Sequence, residues 1–318
     1  MNPFERKHIR DIALRNRKIG VAVDDAMKDI ARRYTTVKGK RFAGVLNDRL
    51  KELHEQILNN GKDGIRNQWM LANEKNNKGL DGYLSSVKIS DRLNQSFRSP
   101  NLSALNAFID RTEKGMNLSD RVWNFTDSVK ESMEGLIKTG VLEGKSAIAL
   151  SKELKGYVNG KPIRYEGTLI PAKNLNFQAI RLAATEMNMA FRTSDYLQNS
   201  RLPFVTGVTI ELSASHPRED ICDFLVGDYP KGYLFQGFHP LCICFATYNN
   251  IPKEQFVEYI KTGKMDTTKF TTDIPPQARL YLNENGKRLM NYKNTPYFLR
   301  ENYTKDLKLK KSVSKINV

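Results

Sequence analysis

Cysteine is scarce in this chain of 318 residues: there are three, Cys222, Cys242 and Cys244. So low and odd a number excludes a disulfide framework as the source of stability. Long apolar runs are missing too. Mean hydropathy is −0.54, and no segment approaches the roughly 18 apolar residues that cross a bilayer, so membrane-spanning classes are excluded. The opening, Met1-Asn2-Pro3-Phe4-Glu5-Arg6-Lys7-His8, is charged and has no apolar stretch behind it. The expectation is therefore a chain without a signal peptide, made and first used in a cytoplasm. Acidic residues are the other shortage, 35 Asp and Glu against 51 Lys and Arg, for a net charge of +16. A field of that sign favours polyanions. Concentrated arginine tracts and grooves of interleaved aromatics are lacking, so a solvated basic surface on a soluble protein stays open beside polyanion binding.

The charge is uneven. Residues 1–60 carry 14 Lys and Arg against 8 Asp and Glu, and residues 300–318 carry 6 against 2. Residues 205–230 invert the sign, with Arg218 alone against Glu211, Glu219, Asp220, Asp223 and Asp228. A basic terminal tail is a typical arm for nucleic acid or an acidic partner.

The first half reads as helices. Ile12, Ile19, Val23, Met27, Ile30 and Tyr34 recur at helical spacing over about 5–35, and Phe42, Val45, Leu46, Leu50, Leu53, Ile57 and Leu58 make a second stripe. Asn59-Asn60-Gly61 is a helix stop by its chemistry. Residues 60–101, rich in Asn, Gly, Lys and Ser, read as loop with short helical pieces. Ser119 is the expected N-cap of the next helix, a short one follows over about 145–157, and Asn159-Gly160-Lys161-Pro162 marks a boundary. A long helix over about 173–199 opens the second part. Val208, Ile210 and Leu212 alternate as a strand, and Ser215-His216-Pro217-Arg218-Glu219 reads as a helix start. A glycine- and aromatic-rich loop over 227–238 leads to a strand over 242–248. Helices begin at Pro252 and at Pro275-Pro276, and the residues from Lys305 onward read as a flexible or partner-ordered tail.

The densest chemistry is His239-Pro240-Leu241-Cys242-Ile243-Cys244, preceded by His216 and Cys222, five potential ligands in 29 residues. Three thiols and two imidazoles contain the ligand set of a closed tetrahedral zinc site, which would staple the acidic segment to the strand. Two other readings stay open: three small thiols packed in a core, or a late disulfide of Cys222 with Cys242 or Cys244. A second candidate is Glu186 on the long helix. Buried among apolar neighbours, it needs a partner, and Arg181 and Arg192 are the nearest cations in sequence. Glu186 with His216 or His239 would alternatively make a metal-assisted nuclease site.

In order, Ala184-Thr185-Glu186 on a helix, a strand, an acidic cysteine-bearing turn, and His239-Pro240-x-Cys242-x-Cys244 resemble the Mu F-like minor head protein family of tailed phages, the head-morphogenesis domain. The resemblance covers about Ala179 to Tyr248. It departs from the family at Ala184, where relatives have Arg, at Ile210, near an expected Trp, and at Leu241 and Ile243, which replace Asn and Arg. The turn offers one cysteine where many relatives have a pair, which brings a histidine into the ligand set.

The resemblance implies a structural minor capsid protein rather than an enzyme, inside the virion head at the portal vertex and assembled in a host bacterial cytoplasm. Its implied partners are a portal protein, a major capsid or scaffolding protein, and double-stranded DNA bound without sequence readout. The expected fold is α+β: a helical N-terminal region over 1–160, a small mixed head-morphogenesis domain over 161–250, and a basic helical extension over 251–318. Expected site residues are His216, Cys222, His239, Cys242 and Cys244 for structural Zn2+, Arg181 and Glu186 as an ion pair, and Lys305, Lys308, Lys310, Lys311 and Lys315 for DNA. The alternatives are a metal-dependent nuclease or toxin-type effector carried by a phage particle, and a host DNA-binding regulator.

Overall fold

The computed structural model describes residues 2–34, 40–160, 163–165, 168–170, 175–213, 216 and 219–314. The chain is α+β, mostly helical with a small antiparallel sheet. It opens with α1 (Pro3–Tyr34), α2 (Lys40–Leu84), α3 (Asp91–Arg98), α4 (Leu102–Asp110), α5 (Leu118–Leu142) and α6 (Ala147–Val158). Next come β1 (Ile163–Tyr165), β2 (Thr168–Ile170), α7 (Leu175–Asn199), β3 (Val205–Glu211), α8 (Ile221–Leu225), β4 (Gly227–Pro230) and β5 (Phe245–Asn250). It closes with α9 (Lys253–Thr262), α10 (Pro276–Met290), α11 (Tyr297–Asn302) and α12 (Lys311–Ser314). Among the described residues no helix is long and apolar enough to cross a membrane.

The contacts divide the chain into two compact units: Met1–Ile9, Ile65–Leu105 and Met187–Val318 form one, and Arg10–Gly64 with Asn106–Glu186 form the other. Among its described residues the second of these is helical apart from the antiparallel β1–β2 pair and an isolated bridge between Glu113 and Met116. The expected stripe on α1 is buried, with Ile12, Ile19, Val23, Met27 and Ile30 at 8 % exposure or less. Leu46, Leu50, Leu53 and Ile57 of α2 and Val122, Phe125, Met133, Leu136 and Ile137 of α5 are buried as well. The cap of α5 is Asn117 rather than Ser119. Asn117 N donates to Asp120 Oδ2 and Asp120 N to Asn117 Oδ1, a reciprocal pair. Ser119 Oγ instead lies 3.3 Å from His54 Nε2, whose ring stacks on Trp123.

The first unit contains the sheet, ordered β4-β3-β5 and antiparallel throughout, with Val208 opposite both Tyr229 and Tyr248. Val208, Ile210, Tyr229 and Ala246 share a core with Cys222, Cys242 and Cys244, and with Leu282, Phe298 and Val313 from the C-terminal helices. Val205 joins a different core with Phe204, Phe256 and Phe270. Gly207 is required at the ladder: a Cβ there would sit 2.6 Å from Thr271 Oγ1 and 2.9 Å from the Tyr229 carbonyl.

Four expectations are corrected in this unit. The helix expected to stop at Asn59-Asn60-Gly61 continues to Leu84, because Ile65, Trp69, Ala72, Leu80 and Leu84 form a buried stripe at helical spacing. Its asparagines serve packing: Asn73 Nδ2 donates to the Arg98 carbonyl and to Gln198 Oε1. The strand expected over 242–248 runs over Phe245–Asn250, so Cys242 and Cys244 precede it. The loop read over 227–238 includes β4. The tail is built into the fold through residue 314: Val313 is buried, Tyr303 bridges Leu309, and Lys310 Nζ donates to the Arg300 carbonyl.

Candidate metal centre

The helix start expected at Ser215 lies five residues further on, at Asp220. Of that run only His216 and Glu219 are described, and neither is helical; Ser215, Pro217 and Arg218 lie outside the described residues. Asp220 caps α8, with Cys222 N donating to its Oδ1 at 2.7 Å and Asp220 N donating to Asp223 Oδ2 at 2.8 Å. These two short polar links fix Asp220, Cys222 and Asp223 relative to one another. His216 joins them, its Nε2 being 3.1 Å from Asp223 Oδ2 and 3.7 Å from Asp220 Oδ1. The Asp220 N–H, followed by the His216 ring, holds the Asp223 carboxyl below the usual range.

The opposite wall is the segment before β5. Arg192 of α7 holds it from beneath. Its Nη1 donates to the Gln236 carbonyl at 3.0 Å, its Nη2 to the carbonyls of Cys242 and Cys244 at 2.7 Å each, and its guanidinium lies over Phe235. Only this planar, multiply donating cation serves three buried carbonyls at once. Gly237 makes room for it: φ is +103°, and a Cβ there would collide with Arg192 Nη1.

Cys222 Sγ and Cys242 Sγ are 3.8 Å apart. They and a ring nitrogen of His239 lie within 4.8 Å of one another, so Cys222, His239 and Cys242 can hold a metal ion. Hydrogen bonding with Cys242 raises the Cys222 thiol. The converse interaction, with Cys244 and the charge of Arg192, lowers the Cys242 thiol well below its ordinary value. Contact with Cys222 draws the Cys244 thiol down, but contact with Cys242 and burial outweigh it and push it up to about 12.

The five expected ligands are therefore divided. Cys222, His239 and Cys242 cluster, His216 groups with Asp220 and Asp223, and Cys244, 2 % exposed, is outside both groups. The sequence reading missed Asp220, Asp223 and Arg192. The signal available for the first two was an Asp pair three residues apart before an apolar turn; Arg192 had no local signal, because its partners lie 44–52 residues away.

The other expected sites resolve separately. Glu186 is buried, but its partners are Arg111 at 2.7 Å and Arg121 at 2.8 Å, and Arg181 is exposed. Residues five apart on a helix point some 140° away from each other, so the expected pair does not share a face. Arg192 is committed to the carbonyls described above. With both carboxylate oxygens held by guanidinium groups, Glu186 is a structural anion. Of the tail lysines, Lys305, Lys308 and Lys311 are exposed and Lys310 is tied to Arg300; Lys315 lies outside the described residues. No family model, no curated protein and no solved structure matches this chain.

Proposed function

We propose that the chain is a structural minor capsid protein of a tailed phage or prophage, internal to the head near the portal vertex. There it assists head assembly and DNA packaging or ejection. The observation that carries this reading is the ordered resemblance from Thr185-Glu186 through the Cys222 turn to His239-Pro240-x-Cys242-x-Cys244. The net charge of +16 supports contact with packed DNA, since neutralising phosphates releases condensed counterions without any base readout. The metal in the Cys222–His239–Cys242 cluster is a zinc ion with a structural role, closing the α8 turn onto the segment before β5. A portal protein and a coat or scaffolding protein are the partners in this reading, and the chain turns over no substrate.

The test is mass spectrometry of DNA-filled particles purified from induced cells that encode the chain. A few copies per particle are expected, retained after external protease treatment. Absence from particles that otherwise contain portal and coat proteins would overturn the assignment.

A further inference from the structure

We propose that the groove between α2 and the unpaired side of β5 holds an extended, acidic peptide segment of a partner protein, which adds to the sheet as a fourth strand.

The order β4-β3-β5 leaves β5 at an edge. Two contacts fix which of its residues face outward. Ile251 N donates to the Phe204 carbonyl, and the Asn249 carbonyl accepts from Thr206 Oγ1, so residues 249 and 251 turn their backbone toward β3. Backbone direction alternates along an antiparallel strand. Ala246, Tyr248 and Asn250 therefore turn their N–H and C=O groups away from the sheet, where these groups meet no hydrogen-bond partner among the described residues. Such a row is a template for another strand, and strand addition at an edge is a recurring mode of peptide recognition.

The same three residues line a groove of about 420 Å3 whose other wall is α2, a volume in the usual range of a ligand site. All its lining residues belong to the first unit. Phe4, Tyr83 and Phe204 supply apolar surface for alternate side chains. Its charge has one sign: Lys75 and Lys78 line it, and no acid does among the described residues. Lys75 is committed to Asp195 at 2.6 Å. Lys78 is exposed, lies 5.8 Å from the centre of the Phe4 ring and has no carboxylate partner among the described residues. Asn76 is 9 % exposed, and its Nδ2 is buried with no hydrogen-bond partner; a peptide carbonyl or a carboxylate would satisfy it. The unpaired backbone row selects polypeptide over other anions, since a nucleic acid would use the lysines and leave that row unpaired. Lys78 then selects acidic side chains within the peptide.

The test pans the full chain against short random peptides displayed on yeast, then measures the enriched peptide, synthesised with a fluorescent label, by anisotropy. Sequences that alternate apolar residues and contain Asp or Glu are expected. N-methylating the peptide one residue at a time should weaken binding by roughly tenfold at every second position and little in between, because only alternate N–H groups reach β5. Gly79 lines the groove, and a Cβ there would meet nothing within 4 Å. Gly79→Trp should therefore keep the fold, which circular dichroism checks, and abolish binding by filling the groove. Lys78→Glu should weaken it by roughly tenfold. No enrichment beyond that on Gly79→Trp, or N-methyl losses without a period of two, would overturn the proposal. If labelled oligo-dT binds wild type but not Gly79→Trp while no peptide is enriched, the groove belongs to single-stranded nucleic acid. A dimer in sedimentation that Gly79→Trp abolishes would make the occupant a second copy of this chain, and the partner assignment would fail.

Discussion

His8 illustrates how much one buried side chain can determine. It is 7 % exposed, with Nδ1 2.6 Å from Gln68 Oε1, Nε2 2.8 Å from Asn188 Oδ1 and its ring 4.3 Å from that of Phe191. Burial, with Arg192 and Lys75 nearby, pushes it down to about 4. A neutral ring donates through one nitrogen and accepts through the other, so one of the two amides turns its NH2 inward. The folded state therefore binds the proton less well than the unfolded chain. Stability is full above the unfolded value near 6.5 and is lost as pH falls from there toward 4, by roughly 3 kcal/mol for this group. Chemical denaturation at pH 7.0 and 4.5 should show that loss, and His8→Gln should flatten the difference; an equal pH dependence in the variant would remove His8 as its source. At this scale the sequence was partly legible. It marked Glu186 as a paired buried acid and His216, Cys222, His239, Cys242 and Cys244 as one ligand set, of which Cys222, His239 and Cys242 cluster. It did not reveal Arg111 and Arg121, 75 and 65 residues from Glu186, because partners so distant leave no mark on spacing.

At the scale of elements, α2 is the instructive case. Local chemistry at Asn59-Asn60-Gly61 favours termination, yet the helix runs for 45 residues. Burying Ile65, Trp69, Ala72, Leu80 and Leu84 along one stripe outweighs the roughly 1 kcal/mol that a helical glycine costs relative to alanine. Trp69 Nε1 also donates to the Pro100 carbonyl, which anchors the stripe. A Cβ at Gly61 would meet only Leu118, at 4.0 Å. Gly61→Ala should therefore raise stability by about 0.5–1 kcal/mol, measured by urea denaturation. A helix that broke there, with Gly61 in a left-handed cap, would instead be destabilised by the same change. The period of α1 was legible because Ile12, Ile19, Val23, Met27 and Ile30 form a continuous buried stripe; on α7 the buried stripe runs through Leu175, Ala179, Ala183 and Met187, and Phe177 is exposed. β5 was misplaced by three residues because Cys242 and Cys244 alternate like a strand while their carbonyls go to Arg192 rather than to a neighbouring strand.

For the molecule as a whole, charge sets what it attracts. The net +16 is long-range and sequence-independent, but the tail that carries part of it is not a free arm. Val313 is buried, and the backbone atoms of Gly232 stand so close to residues 312 and 313 that a Cβ there would lie under 3 Å from both their carbonyls. Deleting the tail would remove core along with charge. Lys305, Lys308 and Lys311 are exposed and can be reversed without that damage. Replacing all three by Glu should reduce the salt slope of duplex DNA binding by roughly one unit per lysine that contacts phosphate, with Tm unchanged. An unchanged slope would place the DNA contact elsewhere on the basic surface.

Composition and spacing by themselves determined the α+β class, the helical stripes, the sign of the field and the thiol–imidazole cluster, since each depends on residues near in sequence or on a simple count. Tertiary structure alone decided that α2 runs on past its stop signal, which cations neutralise Glu186, that Arg192 underpins the Cys242–Cys244 backbone, and that Asp220 faces His239. Each of those outcomes depends on groups brought together from distant positions, where burial outweighs the local preferences that spacing records.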